Sequence, residues 1–210
     1  MSPRSRLLAV FAVAALWMGG VYALYFRGAN TWEFANYAEV ARSIRTGHGF
    51  STRVLYPSTL AFLDARGLAH LDYTPVIHRF PLTCYLSALS QALLGESDFS
   101  SVFPALGLYA LWVALLYAAA ARWLGAARAG VCAGLLAVVP AGAKYFALFT
   151  LPDVPFGVLL FAFHWALAEF PAQGGVRRSA ALGALGGLLY LCRYNFCIWL
   201  PFYFGYLAWM

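Results

Sequence analysis

The sequence predicts an all-α integral membrane protein of about five or six transmembrane helices, with a long extracytoplasmic first loop that carries interfacial helices. Three observations carry that prediction. Hydrophobic residues fill 63% of the 210 positions and charged residues only 10%. A soluble surface needs far more charge, so lipid is the solvent that suits this chain. The apolar residues also run in stretches long enough to cross a bilayer, near 7–26, 102–121, 129–148, 154–170 and 179–209. Between the first two lies a zone of mixed polarity, residues 27–101, which holds most of the acids.

The first element opens on Met1-Ser-Pro-Arg-Ser-Arg6 and runs apolar from Leu7 to Phe26. A cleaved signal has an apolar core of about 7–15 residues and a small-residue cleavage site. This run is longer and ends in Tyr22, Tyr25 and Phe26, aromatics that suit a membrane interface. It reads as an uncleaved spanning helix, residues 1–26, with Arg4 and Arg6 in the cytoplasm.

In the second zone, Trp32 to Arg45 reads as an amphipathic helix. Phe34, Tyr37, Ala38, Ala41 and Ile44 recur at three- and four-residue steps, while Glu33, Asn36, Glu39 and Arg42 fall elsewhere. Asn30 can cap it, with Glu33 three residues on as in a capping box, and Gly47-His-Gly49 ends it. A helix of this kind lies along the bilayer surface.

Residues 80–95 are too short and polar for a clear span, since they include Ser87, Ser90 and Gln91. Charge decides their placing. If they lie in the interface, the loops carrying Arg122 with Arg128 and Arg177 with Arg178 share the side of Arg4 and Arg6. That satisfies the positive-inside rule, which the spanning alternative breaks twice. Residues 27–101 then form one extracytoplasmic loop of roughly 75 residues, long enough to escape the charge rule. Residues 102–210 follow as a transmembrane bundle, all within a single membrane domain. The last apolar stretch holds either one tilted helix with a second begun, or two short helices broken near Arg193.

The net charge of +6 does not indicate nucleic acid, because the arginines are dispersed with no basic stripe. Cys84, Cys132, Cys192 and Cys197 show neither CxxC nor a His partner at ligand spacing, so no zinc site or disulfide framework is indicated. His164, lone in an apolar helix, reads as structural, and Glu169 beside Arg177 and Arg178 as a helix end.

The residues that could carry chemistry gather on the outer face. Glu33 is either a helix-start acid favoured by the dipole or a carboxylate held at the surface as general base. Asp153, between two prolines in Thr150-Leu-Pro-Asp-Val-Pro155, either starts a helix or serves the site. Arg79, Lys144 and Arg193 are the cations. An arginine at mid-helix costs roughly 2.5–3.5 kcal/mol to insert, so Arg193 calls for a partner such as Asp153 or an anionic ligand. Its planar fork of donors suits phosphate.

The order of these features resembles a known family. Glu33-(three residues)-Tyr37-Ala-Glu39-Val-Ala-Arg42 precedes Gly47-His-Gly49, then His78-Arg-Phe-Pro-Leu82 and a Leu-rich stretch ending in Gly95. Ser97-Asp-Phe-Ser-Ser-Val-Phe-Pro104, Lys144-Tyr145 and Leu151-Pro-Asp153 follow. The chain is similar over nearly its whole length to the GT-C superfamily of membrane glycosyltransferases, especially bacterial relatives of the protein O-mannosyltransferases and aminoarabinose transferases. It departs from their pattern at Phe34, where an acid is usual, at Phe80, which stands for a proline, and at Val102, which stands for an arginine.

The resemblance implies transfer of a sugar from a polyprenyl-phosphate donor to a lipid, glycan or protein hydroxyl, with inversion, at the outer face of a bacterial inner membrane. It makes Glu33 the base and gives Asp153 the acceptor or a divalent cation to position, although some relatives need no metal. Arg79, Lys144 and Arg193 then meet the donor phosphate, with Tyr37 and His78 in support. Relatives run to several hundred residues, which points to a truncated module that works with a further C-terminal portion or a partner subunit. Two other classes compete: a small transporter or channel subunit, and a catalytically inactive membrane scaffold. A transporter would place polar groups in broken helices at mid-membrane, often within an internal repeat. The sequence shows no such repeat.

Overall fold

The computed structural model describes residues 2–28, 31–55, 57–67, 72–138, 148, 151–173 and 175–209. The chain is an all-α membrane-type protein. By length and composition, Pro3–Tyr25, Asp98–Leu124 and Asp153–Phe170 can cross a membrane, and Ala126–Leu135 is a shorter apolar helix.

Helix α1, Pro3–Tyr25, starts where Ser2 Oγ accepts from the Ser5 N–H at 3.2 Å, with Pro3 in the first turn. It buries only Ala14, Met18 and Val21, a seam one residue wide at helical spacing. Leu7, Val10, Ala15 and Tyr22 pack partly against the core, while Leu8, Val13, Leu16 and Leu24 are exposed, as lipid contact requires.

Helix α2 spans Trp32–Arg45, the range that periodicity predicts. Its cap differs from the expected one. Thr31 Oγ1 accepts from the Phe34 N–H at 3.3 Å, so Glu33 stands one residue too early for a capping box, and Asn30 lies outside the described residues. A two-residue antiparallel ladder follows, β1 Ser51–Thr52 against β2 Thr74–Pro75, with Ser51 opposite Pro75. It clasps the base of an excursion carrying α3, Pro57–Ala65, which buries none of its residues.

Helix α4, Pro81–Leu94, is polar inside and apolar outside. Thr83, Cys84, Ser87, Ala88, Ser90 and Gln91 are buried, while Tyr85, Leu89 and Leu93 are exposed one turn apart. The inward polar groups tie it to its neighbours: Ser87 Oγ donates to the Ser101 carbonyl at 3.1 Å, and Gln91 Nε2 to Ser101 Oγ at 3.0 Å and the Ala38 carbonyl at 3.3 Å. An outward leucine face on a polar-backed helix is what lipid contact selects, since water would select the reverse.

Helix α5, Asp98–Leu124, opens with a capping box in which Ser97 and Ser100 exchange hydrogen bonds of 3.1 and 3.0 Å. Gly125, at φ +82°, turns the chain into α6, Ala126–Val138. The remainder of the expected span at 129–148 lies largely outside the described residues. Helix α7 is Asp153–Gln173 and α8 is Val176–Cys192. Of the two readings of residues 179–209, the broken one is found. Arg193 is extended (φ −154°, ψ 115°), a 3-10 turn follows at Tyr194–Trp199, and α9 is Leu200–Trp209.

Three contacts fix the sense of the bundle. The Tyr22 ring meets Phe99 at 5.3 Å, Cys192 Sγ donates to the Pro152 carbonyl at 3.3 Å, and Arg122 pairs with Glu169 at 3.0 Å. Helices α5 and α7 therefore run parallel, with α1 and α8 antiparallel to them. One end collects the start of α5 and α7 with α2 and α4. The other collects the N-terminus of α1 and the arginine-bearing turns.

Close approach of α5 and α7 depends on a glycine. A Cβ on Gly157 would stand 2.7 Å from Cη2 and 2.9 Å from Cζ3 of Trp112. Gly157→Ala is expected to destabilise the bundle by about 1–3 kcal/mol through overpacking. Thermal unfolding in detergent measures the loss, and Trp112→Leu in the same chain is expected to recover most of it.

Candidate functional site

The N-terminus of α4 joins two carboxylate–arginine pairs. Pro81 disfavours the helical region for the residue before it, and Phe80 is extended at φ −83°, ψ 120°. Successive side chains of an extended segment point to opposite sides. Arg79 accordingly turns to α2, and Phe80 turns to Arg193 and Tyr194 at the break after α8.

Arg79 is nearly enclosed, its side chain 8% exposed, and reaches Glu33 Oε1 with Nη1 at 3.8 Å. Its Nε donates to Asn36 Oδ1 at 3.3 Å, and its guanidinium lies 5.1 Å from the Tyr37 ring centroid. Glu33 itself remains open, with 61% of its side chain exposed. A carboxylate this accessible can meet a hydroxyl arriving from the aqueous rim, while a buried cation stands behind it.

On the other side, Arg193 Nη2 donates to Asp153 Oδ1 at 2.5 Å, both side chains about one third exposed. The guanidinium stands 5.9 Å from the ring centroids of both Phe80 and Phe156. Phe80 also packs on Tyr194 at 5.5 Å. The break between α8 and the 3-10 turn thus aims Arg193 at the start of α7. The pair Arg79–Phe80 is the bridge between the two acids.

Burial sets the titration of the surrounding groups. Tyr37 is 2% exposed, and desolvation pushes its hydroxyl from 10.0 up to about 12, with Cys84 adding to the rise and Phe80 and Arg79 opposing it. Burial also pushes the Cys84 thiol up to about 12, against the charge of Arg79. His78 is held below the ordinary histidine range, by desolvation first and by Arg79 second. Because Tyr37 is raised in the folded state, its contribution is complete below pH 10 and is lost as pH climbs through about 12. The shift corresponds to about 2–3 kcal/mol. The melting temperature is expected to fall across that window, with a smaller slope in Tyr37→Phe.

Of the sequence-predicted residues, Glu33, Tyr37 and Arg79 come together, and Asp153 joins Arg193 beside them. His78 precedes Arg79 and is exposed, and Lys144 lies outside the described residues. Periodicity alone misplaces Asn36, which is fully buried and bonded to Arg79. It also passes over Phe156. Both stand three residues after a candidate acid on the same helix, the spacing that makes two side chains neighbours. Among the described residues no three His, Cys, Asp or Glu side chains cluster in a way that could hold a metal ion. Asp153 is engaged by an arginine, a donor set that does not fit a divalent cation.

Fold and site together define a helical membrane protein with paired acids and arginines at one end of its bundle. Residues 75–210 match the dolichyl-phosphate-mannose-protein mannosyltransferase family. That is more than half of the chain, and the chain belongs to this family of membrane glycosyltransferases. The matched stretch includes Arg79, Asp153 and Arg193 and begins after Glu33 and Tyr37. Neither the curated proteins nor the solved structures gave a match.

Proposed function

We propose that this chain transfers a sugar from a polyprenyl-phosphate donor to a hydroxyl of a lipid, glycan or protein acceptor, at the extracytoplasmic face and with inversion. The observation that carries the reading is the junction at Arg79–Phe80, which holds the open Glu33 carboxylate at Arg79 on one side and the Asp153–Arg193 pair at Phe80 on the other, in a member of a mannosyltransferase family. Glu33 takes the proton of the acceptor hydroxyl as its oxygen attacks the anomeric carbon. The bond from that carbon to the phosphate oxygen breaks on the opposite face, and the electron pair leaves with the lipid phosphate. Arg79, Arg193 and Lys144 meet that charge, and guanidinium groups suit it by geometry. Asp153 holds Arg193 in place and orients the acceptor.

The orientation follows from charge. Arg4, Arg6, Arg122, Arg128, Arg177 and Arg178 belong to the end opposite the site, so the positive-inside rule puts the site outside. Proteoliposomes holding the full chain, given radiolabelled polyprenyl-phosphate mannose and membrane acceptors, are the direct test. Label is expected to move to the acceptor fraction with inverted anomeric configuration. Failure with every polyprenyl-phosphate hexose, by protein that is folded and inserted, would overturn the reading.

A further inference from the structure

The end of the bundle away from Glu33 and Asp153 carries a second feature with its own chemistry. Six arginines belong to that end, and of the eight acids in the chain only Glu169 does. The Glu169 carboxylate is taken up by Arg122 at 3.0 Å and is 17% exposed. Arg178, at the start of α8, donates to the Glu169 backbone carbonyl at 3.4 Å. With six arginines against one acid, this rim carries a formal excess of positive charge.

Below it, between α7 and α8, runs a groove of about 290 Å³ lined by Ala162, Trp165, Ala166, Glu169, Arg178 and Ala181. Its polar residues are confined to one end. Ala162, Ala166 and Glu169 follow one another at helical spacing along α7, so the trough leads from the charged rim into the apolar body of the helix pair. Three alanines leave open a space that larger side chains would fill, and the Trp165 indole walls it.

We propose that this groove binds an anionic glycerophospholipid, its phosphate at Arg178 with Arg177 and Arg122 near, and one acyl chain along the alanines against Trp165. The shape asks for an amphiphile, because a free anion would leave the apolar trough empty. The charge asks for an anionic one, since basic pockets between spanning helices attract acidic head groups. A lipid held there links the α5–α6 turn, through Arg122, to the α7–α8 hairpin. The assignment is independent of the transfer chemistry, which lies at the other end of the bundle.

The test is lipid retention by the purified full chain, read by native mass spectrometry. The probes are palmitoyl-oleoyl phosphatidylglycerol, phosphatidylcholine with the same chains, and inorganic phosphate. One phosphatidylglycerol is expected to stay bound where phosphatidylcholine does not. Arg178→Gln is expected to weaken it about fivefold, the worth of one arginine near a membrane surface. Ala166→Leu fills the trough without changing charge and is expected to weaken it at least as much. Ala162→Val is read in its place if that variant does not fold. Equal retention of both lipids overturns the proposal, as does a trough-filled variant that binds as the parent does. Displacement of the lipid by millimolar phosphate would make the rim a plain anion site and overturn it too.

Discussion

Glu33→Gln is expected to lower sugar transfer about 10²–10⁴-fold, the range that a positioned general base supplies. The change is nearly isosteric and removes only the basic oxygen. Glu33 lies in the first turn of α2, with 61% of its side chain exposed, and contributes nothing to the buried seam of that helix. The amide oxygen of Gln can still face Arg79, and Thr31 still caps the helix. Expression, insertion and melting temperature should therefore stay near those of the parent. Glu39→Gln is the matching control, because Glu39 sits on the same helix but pairs with Arg42 at 3.3 Å, away from Arg79. Initial rates at saturating donor compare the three proteins. Transfer by Glu33→Gln at the parent rate would take the base role from this residue, even though the pairing with Arg79 would stand.

How far the sequence could lead is visible in particular residues. The bounds of α2 were legible because a three- and four-residue apolar step reports a half-buried helix directly. The interfacial placing of residues 80–95 rests on loop arginines rather than on their own composition. The structure supplies the local reason that composition misleads there: Ser87 and Gln91 point inward to Ser101, and the leucines point out. Hydropathy averages over a helix and cannot tell which face is which. Arg193 announced a need for a partner, because its charge stood inside an apolar run. Asn36 gave no such signal. A neutral amide costs little to place on either face, and its burial is decided by Arg79, which is 43 positions away in sequence. Phe80 shows the same limit, since a single aromatic before a proline does not reveal that an arginine from a distant segment will stand over its ring.

Arg79→Leu is expected to destabilise the chain by about 2–3 kcal/mol and to abolish transfer as well. The first effect comes from the amide it abandons. Asn36 is fully buried, and its Nδ2 already lacks a partner among the described residues, so loss of the Arg79 bond leaves the whole group unsatisfied. A buried polar group in that condition costs about 1–3 kcal/mol. Loss of the guanidinium face over Tyr37 adds about 0.5–2 kcal/mol, offset in part because a desolvated charge is no longer buried. The double variant Arg79→Leu, Asn36→Leu separates structure from chemistry. Replacing both partners of a buried hydrogen bond by apolar groups of similar shape can be nearly neutral, so the double variant should melt close to the parent. Transfer should remain lost, because no leucine meets a departing phosphate. A double variant that regains both stability and transfer would show that Arg79 holds α2 to α4 and does nothing more.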